Sequence, residues 1–156
     1  MMDVRRIEEY EGRIVEFLEE GTPRLGLVLK AGRARVRLLD ERGREEAVPV
    51  TRIYVVHALR PAQPAEFPHL VEALRAQIEA RCREIDLELL WEGVREQERE
   101  YALPELAEQY FGAASGIEQA AMMRALLDDR FYFRRRGVRF VPVSYTHLTL
   151  PTNREG

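Results

Sequence analysis

Cysteine is almost absent from this chain of 156 residues; Cys82 stands alone, which excludes an internal disulfide and any cysteine-rich zinc site. It falls in a helical stretch beside Ile78 and Ile85, with no His or cationic partner in view, and so reads as a buried or half-buried structural thiol. Lysine is equally scarce. Lys30 is the only one, and the rest of the positive charge is arginine, which points to a GC-rich genome rather than to function. No apolar run approaches the ~20 residues that a transmembrane helix needs. The start, MMDVRRIEEYEG, lacks the apolar core of a signal peptide, so the expected compartment is the cytoplasm, with no membrane partner.

Catalytic constellations are also missing. His57 and His69 are isolated from any ligand set, and His147 lies in the C-terminal tail. Asp128 and Asp129 end a helix beside Arg130 and are expected to be a solvated terminus, since a metal site needs more ligands. No glycine-rich phosphate loop appears, and the run from Gly112 to Gly116 is too irregular to be one. The net charge of −3 does not advertise a nucleic-acid binder, so any such argument must come from local clustering.

What is present divides into segments. Residues 12–58 read as β, with strands over 13–17, 24–29, 34–39, 45–50 and 53–56. Asp40-Glu41-Arg42-Gly43 has turn chemistry, and Gly43 is available for a positive φ. Five short strands in so little chain predict a small, bent SH3-like barrel whose thin core leans on a neighbour. Arg33, Arg35, Arg37, Arg42 and Arg44 border one strand pair. They are expected to be offset by Asp40, Glu41, Glu45 and Glu46 as a salt-bridged surface. Residues 59–67, carrying Pro61 and Pro64, form a linker.

Periodicity then becomes helical over 68–98. Leu70, Leu74, Ile78 and Ile85 share one face of a helix over 68–84, and Asp86 caps a second that reaches about Glu96. Residues 99–142 predict a winged helix-turn-helix. A helix from Pro104 to Phe111 is ended by Gly112, and one from Gly116 to Asp128 is boxed by Ser115 and Glu118. A hairpin with strands over 131–133 and 138–141 follows. The fold class is thus α+β: SH3-like barrel, helical segment, winged helix-turn-helix.

The hairpin carries the best local signal. Arg130, Arg134, Arg135, Arg136 and Arg139 stand among Phe131, Tyr132, Phe133 and Phe140, and arginine forks suit phosphate oxygens. Alternation places Phe131 and Phe133 in the core. On the recognition helix Gln119, Met123 and Arg124 are expected to face outward; with Arg124 the only base there, major-groove reading is poor. The candidate nucleic-acid-binding residues are therefore Arg134, Arg135, Arg136, Arg139 and Arg124.

The order of Ile14-Val15-Glu16-Phe17, Val36 to Gly43, Ile85 to Glu92, Leu103 to Phe111, Ala125 to Phe133 and Gly137 to Phe140 resembles a known pattern. It is that of the amino-terminal region of bacterial ribonucleases of the ribonuclease II/R (RNB) family, in the branch where a helix-turn-helix module replaces cold-shock domains. The resemblance implies a front end that guides single-stranded RNA toward a catalytic domain, which cleaves from the 3′ end with Mg²⁺ held by aspartates. None of those aspartates has a counterpart here, so no catalytic residue and no cofactor is assigned to this chain.

The tail Val143–Gly156 resembles the translation of a transposase-type sequencing adapter as far as Thr152. It is expected to be foreign, with natural sequence stopping near Pro142. Two other readings stay open: a self-contained winged-helix DNA-binding regulator, and a protein-interaction adaptor.

Overall fold

The structure, a computed structural model, describes residues 9–144. Five antiparallel strands come first: β1 (Ile14–Glu19), β2 (Thr22–Ala31), β3 (Arg35–Leu39), β4 (Glu45–Pro49) and β5 (Ile53–Val56), in the sheet order β4-β3-β2-β1-β5. The β1–β2 hairpin turns on two residues, Glu20 and Gly21, with φ of 52° and 79°, the geometry whose twist matches its flanking strands. Gly43 takes the expected positive φ of 84° in the β3–β4 turn. Asp40 organises that turn, its buried carboxylate accepting the Arg42 and Arg44 N–H groups, each at 2.9 Å. Burial alone would raise its pKa, but these bonds hold it below the usual range.

The five-stranded antiparallel sheet expected of the small bent barrel is present, and among the described residues no ladder pairs β4 with β5. A single 3₁₀ turn, Val50–Arg52, carries the chain from one edge strand to the other, and Ile53, Val55 and Val56 of β5 are already paired with β1. One face gathers Val15, Phe17, Val28, Val36, Leu38 and Val48. The opposite face carries Ile14, Leu25 and Leu27, and these pack against helices. The thin sheet core does lean on its neighbour, because Ile14 to Leu18 of β1 are buried on both faces.

Four helices follow, α1 (Phe67–Cys82), α2 (Leu87–Val94), α3 (Leu103–Phe111) and α4 (Gly116–Asp128), with a second sheet of β6 (Tyr101–Ala102), β7 (Phe133–Arg136) and β8 (Arg139–Pro142) in the order β6-β8-β7. The predicted signals hold locally. The Asp86 carboxylate accepts the Glu88 and Leu89 N–H groups. Gly112 ends α3 at φ 77°, and Glu118 accepts the Ser115 N–H at 2.9 Å. From α2 onward the order helix, strand, helix, helix, hairpin is that of a winged helix.

Helix α4 departs most from expectation. Ala120, Ala121, Met122, Met123 and Leu126 are all buried, so two faces of the helix are covered. Ala120 and Ala121 meet α1 and β1–β2, whereas Met122, Met123 and Leu126 join the core shared by α2, α3, β7 and β8. The helix is therefore the wall between two cores.

A polar cluster is set into that wall. Glu16 has no exposed surface, and its Oε2 accepts hydrogen bonds from Arg124 Nη1 at 2.5 Å and from the Tyr54 hydroxyl. Burial raises the Glu16 pKa, with Arg124 opposing it, and burial beside Glu16 pushes the Tyr54 hydroxyl far up. His57 is 2 % exposed and its Nε2 has no hydrogen-bond partner among the described residues. Burial, reinforced by Arg124 and Arg13, pushes it down to about 4. Cys82 is half-buried, as expected, and burial raises its thiol.

The packing around His57 makes two glycines unequal. A Cβ on Gly116 would lie 2.5 Å from His57 Nδ1, whereas one on Gly93 would meet nothing closer than 3.7 Å. Gly116→Ala should therefore lower the denaturant midpoint by the equivalent of about 1–3 kcal/mol. Gly93→Ala should hold or raise it by up to about 1 kcal/mol.

His57 stays neutral when folded until pH falls to about 4, while in the unfolded chain it takes a proton near 6.5. Its contribution to stability is thus complete above 6.5 and is lost as pH falls toward 4, by up to about 3 kcal/mol. Glu16, with a raised pKa, works with the opposite sign. The test is the difference between wild type and His57→Leu in stability against pH, which should show the His57 slope. Parallel curves for the two proteins would refute it.

Candidate nucleic-acid interface

The hairpin β7–β8 is built by Asp129. Its carboxylate accepts the N–H groups of Phe131 at 3.0 Å, Tyr132 at 3.0 Å and Phe133 at 2.7 Å. These residues are therefore wound into a turn, and the ladder begins at Phe133, two residues later than the sequence pattern predicts. Asp129 is thus a turn-forming group and not merely a solvated helix end. The shift also corrects the fate of Phe131, which is 59 % exposed where alternation placed it in the core; Phe133 is buried as expected.

The cations gather around this hairpin. Arg130, Arg134, Arg135 and Arg136 are exposed, and Arg139 is half-buried. Arg136 and Arg139 stand directly opposite each other on β7 and β8. Arg135 donates to the Gly137 carbonyl at 2.9 Å, bracing the turn. Arg136 has Glu100 as its only ion pair among the described residues, and at 3.9 Å between two exposed groups this holds it weakly. The Arg130 and Arg134 side chains have no ion pair or hydrogen bond among the described residues.

Arg124 does not join them. Its guanidinium is turned inward to Glu16 and to the Ala120 carbonyl, and Met123 has no exposed surface. The predicted outward face of α4 is corrected on both counts; Gln119 is half-buried and donates to the Ala114 carbonyl. The physical reason lies on β1, where Glu16 stands in a strand buried on both faces and requires a cation. A recognition helix covered by α1, α3 and the sheet is closed to a major groove in this arrangement.

The aromatic side of the wing has a different character. Tyr132 lies 5.8 Å from Trp91 in a tilted pair and edge-on to Phe131 at 6.5 Å. Trp91 is fixed in turn by donating to the Val143 carbonyl. Burial and the nearby Glu88, Asp129, Asp86 and Glu92 all raise the Tyr132 hydroxyl. Carboxylates border the aromatic turn, so the cationic edge proper starts at Arg134. A groove of about 450 Å³ opens on the other side, between the β5 edge and the wing, with Tyr10, Ile53, Tyr54, Leu103, Val138 and Arg139 in its walls.

Among the described residues no group of three or more His, Cys, Asp or Glu could hold a metal ion. The Mg²⁺ that the resemblance implies for a full-length enzyme thus finds no ligand set in them, and no chemistry is derived through it. No described helix is long and apolar enough to cross a membrane. Of the tail read as adapter, residues 145–156 lie outside the described residues; Val143 donates its N–H to the Tyr132 carbonyl at 2.9 Å.

The Asp129 network makes a direct prediction. Asp129→Ala removes the acceptor from three backbone N–H groups and should destabilise the protein by about 2–4 kcal/mol. Hydrogen exchange should show the loss of protection concentrated at residues 131–136. Unchanged exchange there would show that the turn does not depend on this carboxylate.

Comparison with known proteins agrees with the element order. Residues 73–146 match the family model described as the winged helix domain of ribonuclease II, a span that begins inside α1 and includes α2, α3, α4 and the whole hairpin. No curated protein and no solved structure matches the chain significantly. The segment that carries the arginine wing is thus similar to the winged helix domain of ribonuclease II.

Proposed function

We propose that the chain is an RNA-guiding module of a ribonuclease II-type enzyme, one that degrades single-stranded RNA from its 3′ end. Its catalytic domain, with the aspartates and Mg²⁺, would be supplied outside the residues described. The observation that carries this reading is the division of labour within the winged helix. The helix that would read bases is spent on internal packing, while Arg134, Arg135 and Arg136 remain exposed. Such an edge suits the sugar-phosphate backbone, which needs charge and reach but no base pattern.

A DNA-binding regulator is the weaker reading for the same reason, since Met123 and Arg124 are unavailable to a groove. The reading as a protein-interaction adaptor draws on Phe131 and Leu89, both 59 % exposed.

Fluorescence anisotropy with single-stranded RNA, single-stranded DNA and duplex DNA of equal length tests the proposal. Affinity for the RNA should fall steeply with salt. Replacing Arg134, Arg135 and Arg136 with Ser should weaken it about tenfold and flatten the log–log salt slope by about 2, at roughly 0.7 for each phosphate no longer neutralised. Preference for a particular duplex sequence would establish the regulator instead. Binding insensitive to salt would eliminate the arginine edge.

A further inference from the structure

A second cationic surface lies on the five-stranded sheet, away from the wing's own hairpin. Along β3, Val36 and Leu38 point into the core while Arg35 and Arg37 are exposed, and Arg33 stands exposed in the turn before them. The register places Lys30 of β2 directly opposite Arg37 on one side and Ala47 of β4 on the other; Arg35 faces Pro49. No carboxylate is opposite either arginine. Two like charges directly across a ladder destabilise a sheet, so Lys30 and Arg37 oppose the fold unless an anion lies between them.

The sequence suggested that neighbouring acids would neutralise this strand pair, but the structure commits most of them elsewhere. Asp40 is buried in its own turn. Glu41 accepts the Leu25 N–H and pairs with Arg75. Glu46 is turned toward Asp40, and burial with the nearby Glu19 and Asp40 raises its pKa. Glu11 accepts the Ala31 N–H. Glu45 remains, opposite Leu39 and only diagonal to Arg37. Lys30, Arg33, Arg35 and Arg37 thus have no side-chain hydrogen bond or ion pair among the described residues.

We infer that this stripe is a second contact for the sugar-phosphate backbone of single-stranded RNA, an inference that rests on the RNA reading of the wing. Alternate residues of a strand are about 6.8 Å apart on one face, so Arg35 and Arg37 present successive guanidinium forks along a line. Each fork takes a phosphate through paired N–H donors. An acidic peptide fits less well, because recognition of an extended peptide uses pockets for alternate side chains, and the neighbours here are Ala47 and Pro49. The stripe also lacks the exposed apolar residues with which a surface enters a membrane.

The test compares the intact chain with two triple variants, one of Arg33, Arg35 and Arg37 to Ser and the wing triple, and with their combination. The probe is an oligouridylate, read by anisotropy across a salt series. The stripe variant should bind about tenfold more weakly, with its log–log salt slope flattened by about 2. Its thermal midpoint should be unchanged or higher, because the removed cations have no side-chain partners among the described residues. If the stripe variant binds RNA as wild type does while the wing variant does not, the stripe is refuted and the RNA reading stands. If wild type itself does not bind the oligouridylate, both fail. If polyglutamate or phosphatidylserine vesicles bind as strongly as the RNA and lose binding in parallel, the surface is a general polyanion site and the proposal is overturned.

Discussion

Glu16 is a carboxylate without exposed surface in a strand buried on both faces, and the arrangement of the molecule follows from how it is compensated. An isolated charge there is prohibitive, so Arg124 of α4 and Tyr54 of β5 converge on the same oxygen. Their convergence fixes the winged helix against the sheet in one orientation, because sliding α4 by a turn would strand both charges. Hydrophobic packing of Ala120 and Ala121 against β1–β2 supplies buried area, but small side chains on a flat face specify position weakly. The ion pair supplies the specificity that the alanines lack. Removing one partner of such a pair costs about 3–5 kcal/mol, more than deleting an ordinary surface interaction.

That constraint also decides which surfaces are left for a ligand. Because Arg124 faces inward, it adds nothing to the two runs of exposed cations, one on the wing and one on the outer face of β2–β3. Both are strand surfaces of exposed arginines with few acids in reach. Strand-borne cations present charge in a line without a base-sized pattern, which suits the sugar-phosphate backbone that we propose as the ligand.

Much of the fold was legible because local chemistry and tertiary structure agree. Asp86, Gly112 and the Ser115–Glu118 pair all mark helix ends where the structure has them, and Gly43 takes its turn. What was not legible depends on long-range partners. Nothing near Arg124 in sequence reveals that its counter-ion is 108 residues away on β1. The signal that existed was on the other side: Glu16 interrupts the apolar residues of a strand, and a carboxylate so placed demands a buried cation. Phe131 was misplaced for a related reason. Alternation assumes that a strand has begun, whereas the Asp129 carboxylate holds three successive N–H groups in a turn and delays the ladder to Phe133.

The position of β8 has a consequence for biosynthesis. Although last in sequence among the described strands, it lies in the middle of its sheet, pairing with Tyr101–Ala102 on one side and Phe133–Arg136 on the other. Neither neighbour can form a ladder before it is translated. The five-stranded sheet is complete at Val56, yet the helices that cover Ile14, Leu25 and Leu27 come later. At roughly 5–20 residues per second, that apolar face waits several seconds on the ribosome for α4. During this interval the nascent chain is a sheet with one wet hydrophobic side, the kind of surface that chaperones engage and that neighbouring chains on a polysome can join.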